Sequence, residues 1–187
     1  MSDLPARVAQ VLARTRTRLA VALARRRVTL GFVAGAATLV LARPTWASWR
    51  AGLFIAAAGE CLRVWAAGHL EKSREVTRSG PYRLMRHPLY AGSMLIAVGA
   101  AIASRGAAPA LVAGLYMGLT IGAAMHVEES RLRQAFGTTY DEYRESRAEP
   151  MVRRFSFARV RRNREYRALI GLILGFALLA LKILAPL

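Results

Sequence analysis

The chain is short of acid, cysteine and histidine, and each shortage closes off a class of function. Eleven Asp and Glu stand against 28 Lys and Arg, a formal charge of +17 over 187 residues. The single cysteine, Cys61, excludes an internal disulfide and a multi-cysteine metal site. It falls inside an apolar run, where a small packing residue is expected. The three histidines, His69, His87 and His126, lack the i, i+3 or i, i+4 spacing of helical ligands, so no metal site is expected. Residues 1–27 hold no apolar core of useful length and no clear cleavage site, which argues against a cleavable leader. A basic excess alone would suit nucleic acid. Here, however, 55% of residues are hydrophobic and the arginines collect at the ends of apolar runs, so nucleic acid is not an expected partner and a lipid bilayer is.

Five apolar runs follow one another, at 28–42, 47–67, 89–104, 107–125 and 168–187. A helix needs roughly 20 residues to cross a bilayer, with about 17 as the lower limit. The second, fourth and fifth runs meet that limit; the first and third borrow flanking residues. The fold class expected is therefore an all-α polytopic membrane bundle of about five spans, in one domain over 1–187. Charge sets its orientation. Seven Arg precede residue 28, five Lys or Arg lie in 68–87 and eleven in 127–167, against three in the remaining turns. The positive-inside rule makes the basic segments and the N-terminus cytoplasmic, and the Arg- and Ala-rich composition points to a bacterial inner membrane. Residues 5–27 read as a basic helix lying on an anionic leaflet, and 153–167 as a second basic surface segment. Arg25, Arg26 and Arg27 are placed to snorkel at one end of the first run, with Trp46 and Trp49 at the other interface.

Small residues recur four apart at Gly31/Gly35, Gly114/Gly118/Gly122 and Gly171/Gly175, and the Gly114 row is the one expected to pack tightly. Glu60 and Arg63, inside the second run, are three apart on one helical face. Charges in a span are costly and often functional, but mutual pairing is sufficient to explain these two.

Two segments carry candidate chemistry. In GPYRLMRHPLYAG, 80–92, the cations Arg83, Arg86 and His87 stand before Pro88, and a proline suits the first turn of a helix. Unpaired N–H groups and the helix dipole there attract an anion, so Arg86 and His87 suit a carboxylate. The second segment opens on Glu128 and Glu129 directly after the fourth run. It continues through Leu132, Ala135 and Phe136 to a helix-breaking Gly137, then Tyr140 and Tyr143. The two carboxylates suit a cationic ligand, or alternatively cap the start of a following helix. Tyr82, Tyr90 and Tyr143 offer ring faces to an aromatic or cationic ligand.

The order GPYxxxRHPxYxG, two spans of apolar sequence, then EExxLxxxFGxxYxxY resembles the isoprenylcysteine carboxyl methyltransferase family, whose core is shared with phospholipid N-methyltransferases. The matching core is 74–147, with 168–187 an additional span. The resemblance implies an integral-membrane enzyme that moves a methyl group from S-adenosylmethionine to a lipidic or small membrane-accessible acceptor. It implies cofactor contacts from Arg74, Glu75, Val76, Thr77, Tyr82, His87, Pro88, Leu89 and Tyr90, with Glu128 at the reacting centre. The chemistry of the residues adds Glu129 to the cofactor contacts, Arg86 beside Glu128 as a catalytic group, and Tyr143 with Glu128 facing the substrate. Two departures stand out. Ala124 occupies the position where eukaryotic members carry an Arg facing a substrate carboxylate, and RAEP at 147–150 replaces their Val-Pro-Arg. Methyl transfer is a direct displacement that asks for alignment and exclusion of water, so no covalent nucleophile is expected. Two other readings are an NADPH-dependent membrane reductase of the sterol-reductase type, whose element would need an acid where Ser93 stands, and a non-catalytic membrane scaffold.

Overall fold

A computed structural model describes residues 4–149 and 151–185, with the side chains of 4–18, Ala24 and Arg27 outside the described set. The described residues form six α-helices and no strand. They are α1 (Leu4–Leu41), α2 (Trp46–His69), α3 (Pro88–Ser104), α4 (Ala107–Arg144), α5 (Phe157–Arg162) and α6 (Tyr166–Leu184), with a 3-10 turn at Gly80–Arg83. The all-α class is as the hydropathy pattern requires. Three helices, α2, α4 and α6, are long and apolar enough to cross a membrane, while α3 and the Val28–Leu41 part of α1 are shorter apolar helices. The basic residues after Pro5 are not a separate interfacial helix, because α1 is unbroken into the first apolar run.

Helix α2 starts where the sequence can satisfy its free N–H groups. Thr45 and Ser48 form a capping box, with Thr45 Oγ1 accepting from the Ser48 amide at 3.3 Å and Ser48 Oγ from the Thr45 amide at 3.0 Å. Ser48 Oγ also donates to Ala103 O at 3.1 Å, and the Arg43 amide donates to Ser104 O at 2.8 Å. The start of α2 is thus tied to the end of α3. Between those ends the two helices run against each other through glycine. A methyl group on Gly59 would lie 2.6 Å from Gly92 O, and Gly52 meets Gly99 in the same way two turns on. Close backbone approach is what small residues permit in lipid, where packing rather than the hydrophobic effect drives association.

That corrects the glycine expectation. Gly114, Gly118 and Gly122 meet nothing within 4 Å, nor do Gly35, Gly171 and Gly175; only Gly31 is covered, by the Tyr116 hydroxyl at 2.7 Å. The Gly114 row lies bare on α4 beside exposed Leu111, Leu115 and Leu119. Helix α4 leans on α1 instead, and α6 on α2, where Trp49 Nε1 donates to Phe176 O at 2.8 Å.

At the other end of α2, the last carbonyls would be orphans. Segment 151–165 supplies their donors. Arg159 Nε and the Ser156 amide reach Gly68 O at 2.7 and 3.1 Å, Arg153 reaches His69 O at 3.1 Å, and Asn163 Nδ2 reaches Ala67 O and Leu70 O at 2.9 and 3.0 Å. Cations at a helix C-terminus also complement its dipole. The basic segment expected to lie on the membrane therefore turns part of its charge inward. Arg154, Arg161, Arg164 and Arg167 stay exposed, whereas Arg153 and Arg159 hold α2.

Candidate active site

Helix α3 begins at Pro88, as the proline predicts, with His87 in the N-cap position and no side-chain cap. Helix α4 passes beside it, and the two motif segments meet there. The Tyr90 hydroxyl donates to Glu128 Oε2 at 2.6 Å. His87 Nε2 lies 2.9 Å from Glu129 Oε1, with Arg86 Nη1 3.6 Å from the same oxygen. The hydrogen bond from His87 holds the Glu129 carboxyl below its usual range. Glu128 and Glu129 do not cap a helix start. They sit within an unbroken stretch of α4, and the break comes eight residues after Glu129, at Gly137, with φ 49° and ψ −122°. That left-handed φ is cheap for glycine alone.

Beyond the kink, α4 turns back over the 3-10 turn. The Tyr143 hydroxyl donates to Tyr82 O at 2.8 Å, which pins the GPY element. Burial pushes the Tyr143 phenol up to about 12 and raises Tyr82 further, with the Glu128 charge adding to the effect at Tyr82. Both phenols are therefore neutral donors at physiological pH. Tyr140, absent from the expected site residues, belongs to this cluster. Its ring is 6.4 Å from that of Tyr143, and its hydroxyl is buried without a hydrogen-bond partner. Burial, then the charge of Glu129, raises its pKa. The signal was present in the sequence, since Tyr140 and Tyr143 are three apart and share a helical face.

The structure brings Tyr82, Arg86, His87, Tyr90, Glu128, Glu129 and Tyr143 together, with Pro88 and Leu89 in the first turn beneath them. It engages 74–77 differently. Arg74 is exposed, Glu75 is held by Arg153 at 2.6 Å, Val76 is buried, and buried Thr77 accepts from the Glu71 amide at 3.3 Å. A cavity of about 540 Å³ lies on the α2 side of the GPY turn, lined by Trp65, His69, Gly80, Arg83 and Arg153 among others. Gly80 has φ 57°, and a methyl group there would strike the His69 ring at 2.6 Å, so the turn needs glycine on both counts.

Such a site, with carboxylates, phenols and a histidine joining two apolar helices, stands at one end of a helical bundle in which three helices are long and apolar enough to cross a membrane. The phospholipid methyltransferase profile matches residues 36–139, more than half the chain, and the protein belongs to that family of membrane methyltransferases. Two curated rice proteins, each described as a probable protein-S-isoprenylcysteine O-methyltransferase, from Oryza sativa subsp. indica and subsp. japonica, are 35% identical over 75 residues. The alignment covers 40% of this chain and 39% of each relative, so the chain spans about two-fifths of their length. No solved structure matches. The profile ends just past Gly137, so Tyr143, α5 and α6 lie outside it.

Proposed function

We propose that the protein transfers a methyl group from S-adenosylmethionine to a lipidic or small acceptor that arrives through the membrane, at the cytoplasmic end of the bundle. The observation that carries this reading is the direct contact of two distant motif segments, Tyr90 on Glu128 and His87 on Glu129. The donor set fits the cofactor. Its amino-acid part is a zwitterion, and the cluster offers the complementary charges side by side. Arg86 and His87 suit the carboxylate, and Glu129 suits the ammonium. The unpartnered Tyr140 hydroxyl is a free donor beside them. Glu128 accepts a hydrogen bond from a ribose hydroxyl or faces the incoming acceptor, and the Tyr82 and Tyr90 rings suit a sulfonium. When bound, the cofactor supplies an activated methyl group.

The chain's own residues then have three tasks. Tyr143 and Tyr82 fix the turn that carries the aromatic faces. The first turn of α3 fixes Tyr90. Glu128 orients the acceptor or takes up a proton that it loses. Alignment of this kind accounts for several kcal/mol of a displacement barrier. Ala124, one turn before Glu128 and buried, offers no cation to an acceptor carboxylate, which favours an acceptor that is not a carboxylate. The test is equilibrium binding of S-adenosylhomocysteine to the purified full-length protein in nanodiscs. Micromolar binding that weakens in Tyr90→Phe and Glu128→Gln is expected. A folded protein that binds neither this ligand nor S-adenosylmethionine overturns the reading, and NADPH binding in its place would favour a reductase.

A further inference from the structure

The least expected polar group in the molecule is Arg63, which lies inside the second apolar run, toward the end of α2 that faces the candidate site. Its guanidinium makes four contacts on three helices. Nη2 lies 2.5 Å from Glu165 Oε1 at the start of α6, and Nε lies 3.6 Å from Glu60 Oε2 on α2 itself. Nη1 donates to Leu89 O at 3.4 Å and to Ser93 Oγ, both on α3. Ser93 Oγ in turn donates to Leu89 O at 2.9 Å. Gly92 completes the arrangement, since a methyl group there would lie 2.6 Å from Arg63 Cγ. Gly92, the last residue of the motif stretch, and Ser93, which follows it, both receive Arg63. One lets it approach and the other accepts from it.

Glu60 and Glu165 are each about 5% exposed, and neither Glu60 oxygen has a hydrogen-bond donor. A structure that needed only to neutralise an arginine inside an apolar run would use one carboxylate. Here two carboxylates from different helices converge on one guanidinium, and the guanidinium grips the backbone of the turn that carries Tyr90. A planar fork with five donors can bridge several acceptors in fixed directions, which a lysine cannot.

We propose that Arg63 is a positioning residue for the Tyr90–Glu128 site, and that Glu165 couples α6, which lies outside the family-matched region, to that site through it. Arg63 acts by holding the Leu89 carbonyl and Ser93, one residue before and three after Tyr90, and so sets the height and rotation of the first turn of α3. Glu165 aims the guanidinium. Helix α6 is in this sense a clamp on the active-site turn as well as an additional span. The inference rests on the proposed methyl transfer for its kinetic consequence, but its structural part can be tested without it.

The experiment uses full-length protein in nanodiscs and the variants Arg63→Lys, Arg63→Met and Glu165→Gln. The first readout is amide hydrogen exchange without ligand. Amides from Tyr90 to Ile96 should exchange faster in all three variants, while those of α4 from Leu111 to Leu119 keep their rates. The second is S-adenosylhomocysteine affinity and turnover. Misplacement near a reacting centre costs on the order of ten- to a hundredfold, so kcat should fall by about that much in Arg63→Lys, with the KM for the acceptor little changed. Glu165→Gln, which keeps a neutral hydrogen-bond acceptor, should lose less. If Arg63→Met does not fold, Arg63→Lys and Glu165→Gln still decide the matter. Unchanged exchange at 90–96 in both, or a lowered thermal midpoint with kcat and affinity intact, overturns the proposal. Faster exchange at 90–96 in a protein that binds no S-adenosyl ligand upholds the coupling and removes the methyl-transfer reading instead.

Discussion

The two ends of the bundle use the same cations against different partners. At the end where α1 meets α2 and α3 meets α4, no Asp or Glu is available, since 28–59, 76–127 and 166–187 contain none. There Lys182 Nζ donates to Leu39 O and Val40 O at 2.8 Å each, Arg50 to Trp46 O at 3.2 Å, and Ser48 to Ala103 O. The polar groups cap backbone. At the other end carboxylates answer the cations as well, as in His87–Glu129, Arg153–Glu75, Arg162–Glu71 and Arg63–Glu165, beside the backbone bonds of Arg153 and Arg159. Backbone carbonyls hold fixed positions and carry no net charge. A carboxylate can be titrated, and it can exchange one cation for another. The first end is held by backbone carbonyls, and the second by ion pairs whose members can re-pair with another charged group.

The contrast can be broken in several places, and the largest effect should come from the seam that joins both ends. Gly59→Leu drives a side chain into the Gly92 carbonyl and should cost about 3 kcal/mol, or prevent folding. Gly118→Leu, on the bare α4 row, should change stability by less than about 0.5 kcal/mol. Thermal midpoints in nanodiscs measure both, and equal losses would mean that α2 and α3 do not pack as described. Next comes Glu128→Gln, which should lower methyl transfer roughly a hundredfold while the midpoint stays within a few degrees. Lys182→Met should do the reverse. It removes two charge-assisted bonds, lowers stability by about 1–2 kcal/mol, and leaves kcat alone. A kinetic defect in Lys182→Met would erase the distinction between the ends.

Two smaller effects follow from ionisation. The carboxyl of Glu129 is lowered from 4.5 in the folded chain, so its contribution to stability is present above pH 4.5 and fades as pH falls through the lower folded value. His87→Gln should flatten that acid limb of the midpoint-versus-pH curve. Tyr143 has the opposite sign. Its pKa rises from 10.0 to about 12, so its stabilisation is complete below pH 10.0 and is lost as pH climbs through about 12. Ultraviolet titration of phenolate should therefore lose its component near 12 in Tyr143→Phe.

Legibility in the sequence was uneven for physical reasons. Pro88 starting α3 and Gly137 breaking α4 were readable, because helix punctuation is local; the bond from the Tyr143 hydroxyl to Tyr82 O was not. The glycine seam was not. Glycines four apart state that a close approach is allowed, but not which helix will make it. The seam that formed uses Gly52/Gly59 and Gly92/Gly99, seven apart, while the regular row on α4 faces outward. Pairing of Arg63 with Glu60 was readable from their spacing. Glu165, more than a hundred residues away, was not, and neither was the use of Arg153, Arg159 and Asn163 as donors to the end of α2.

Taken alone, the order of residues determined that this chain would form apolar helices, that one would begin at Pro88 and that another would break at Gly137. Those properties follow from side-chain hydropathy, from proline and glycine geometry, and from charge, all of which are set within a few residues. Tertiary structure decided which helices touch and which carboxylate each cation receives. Those choices depend on distances between segments far apart along the chain, and in a membrane they are made by the fit of one backbone against another rather than by hydrophobicity.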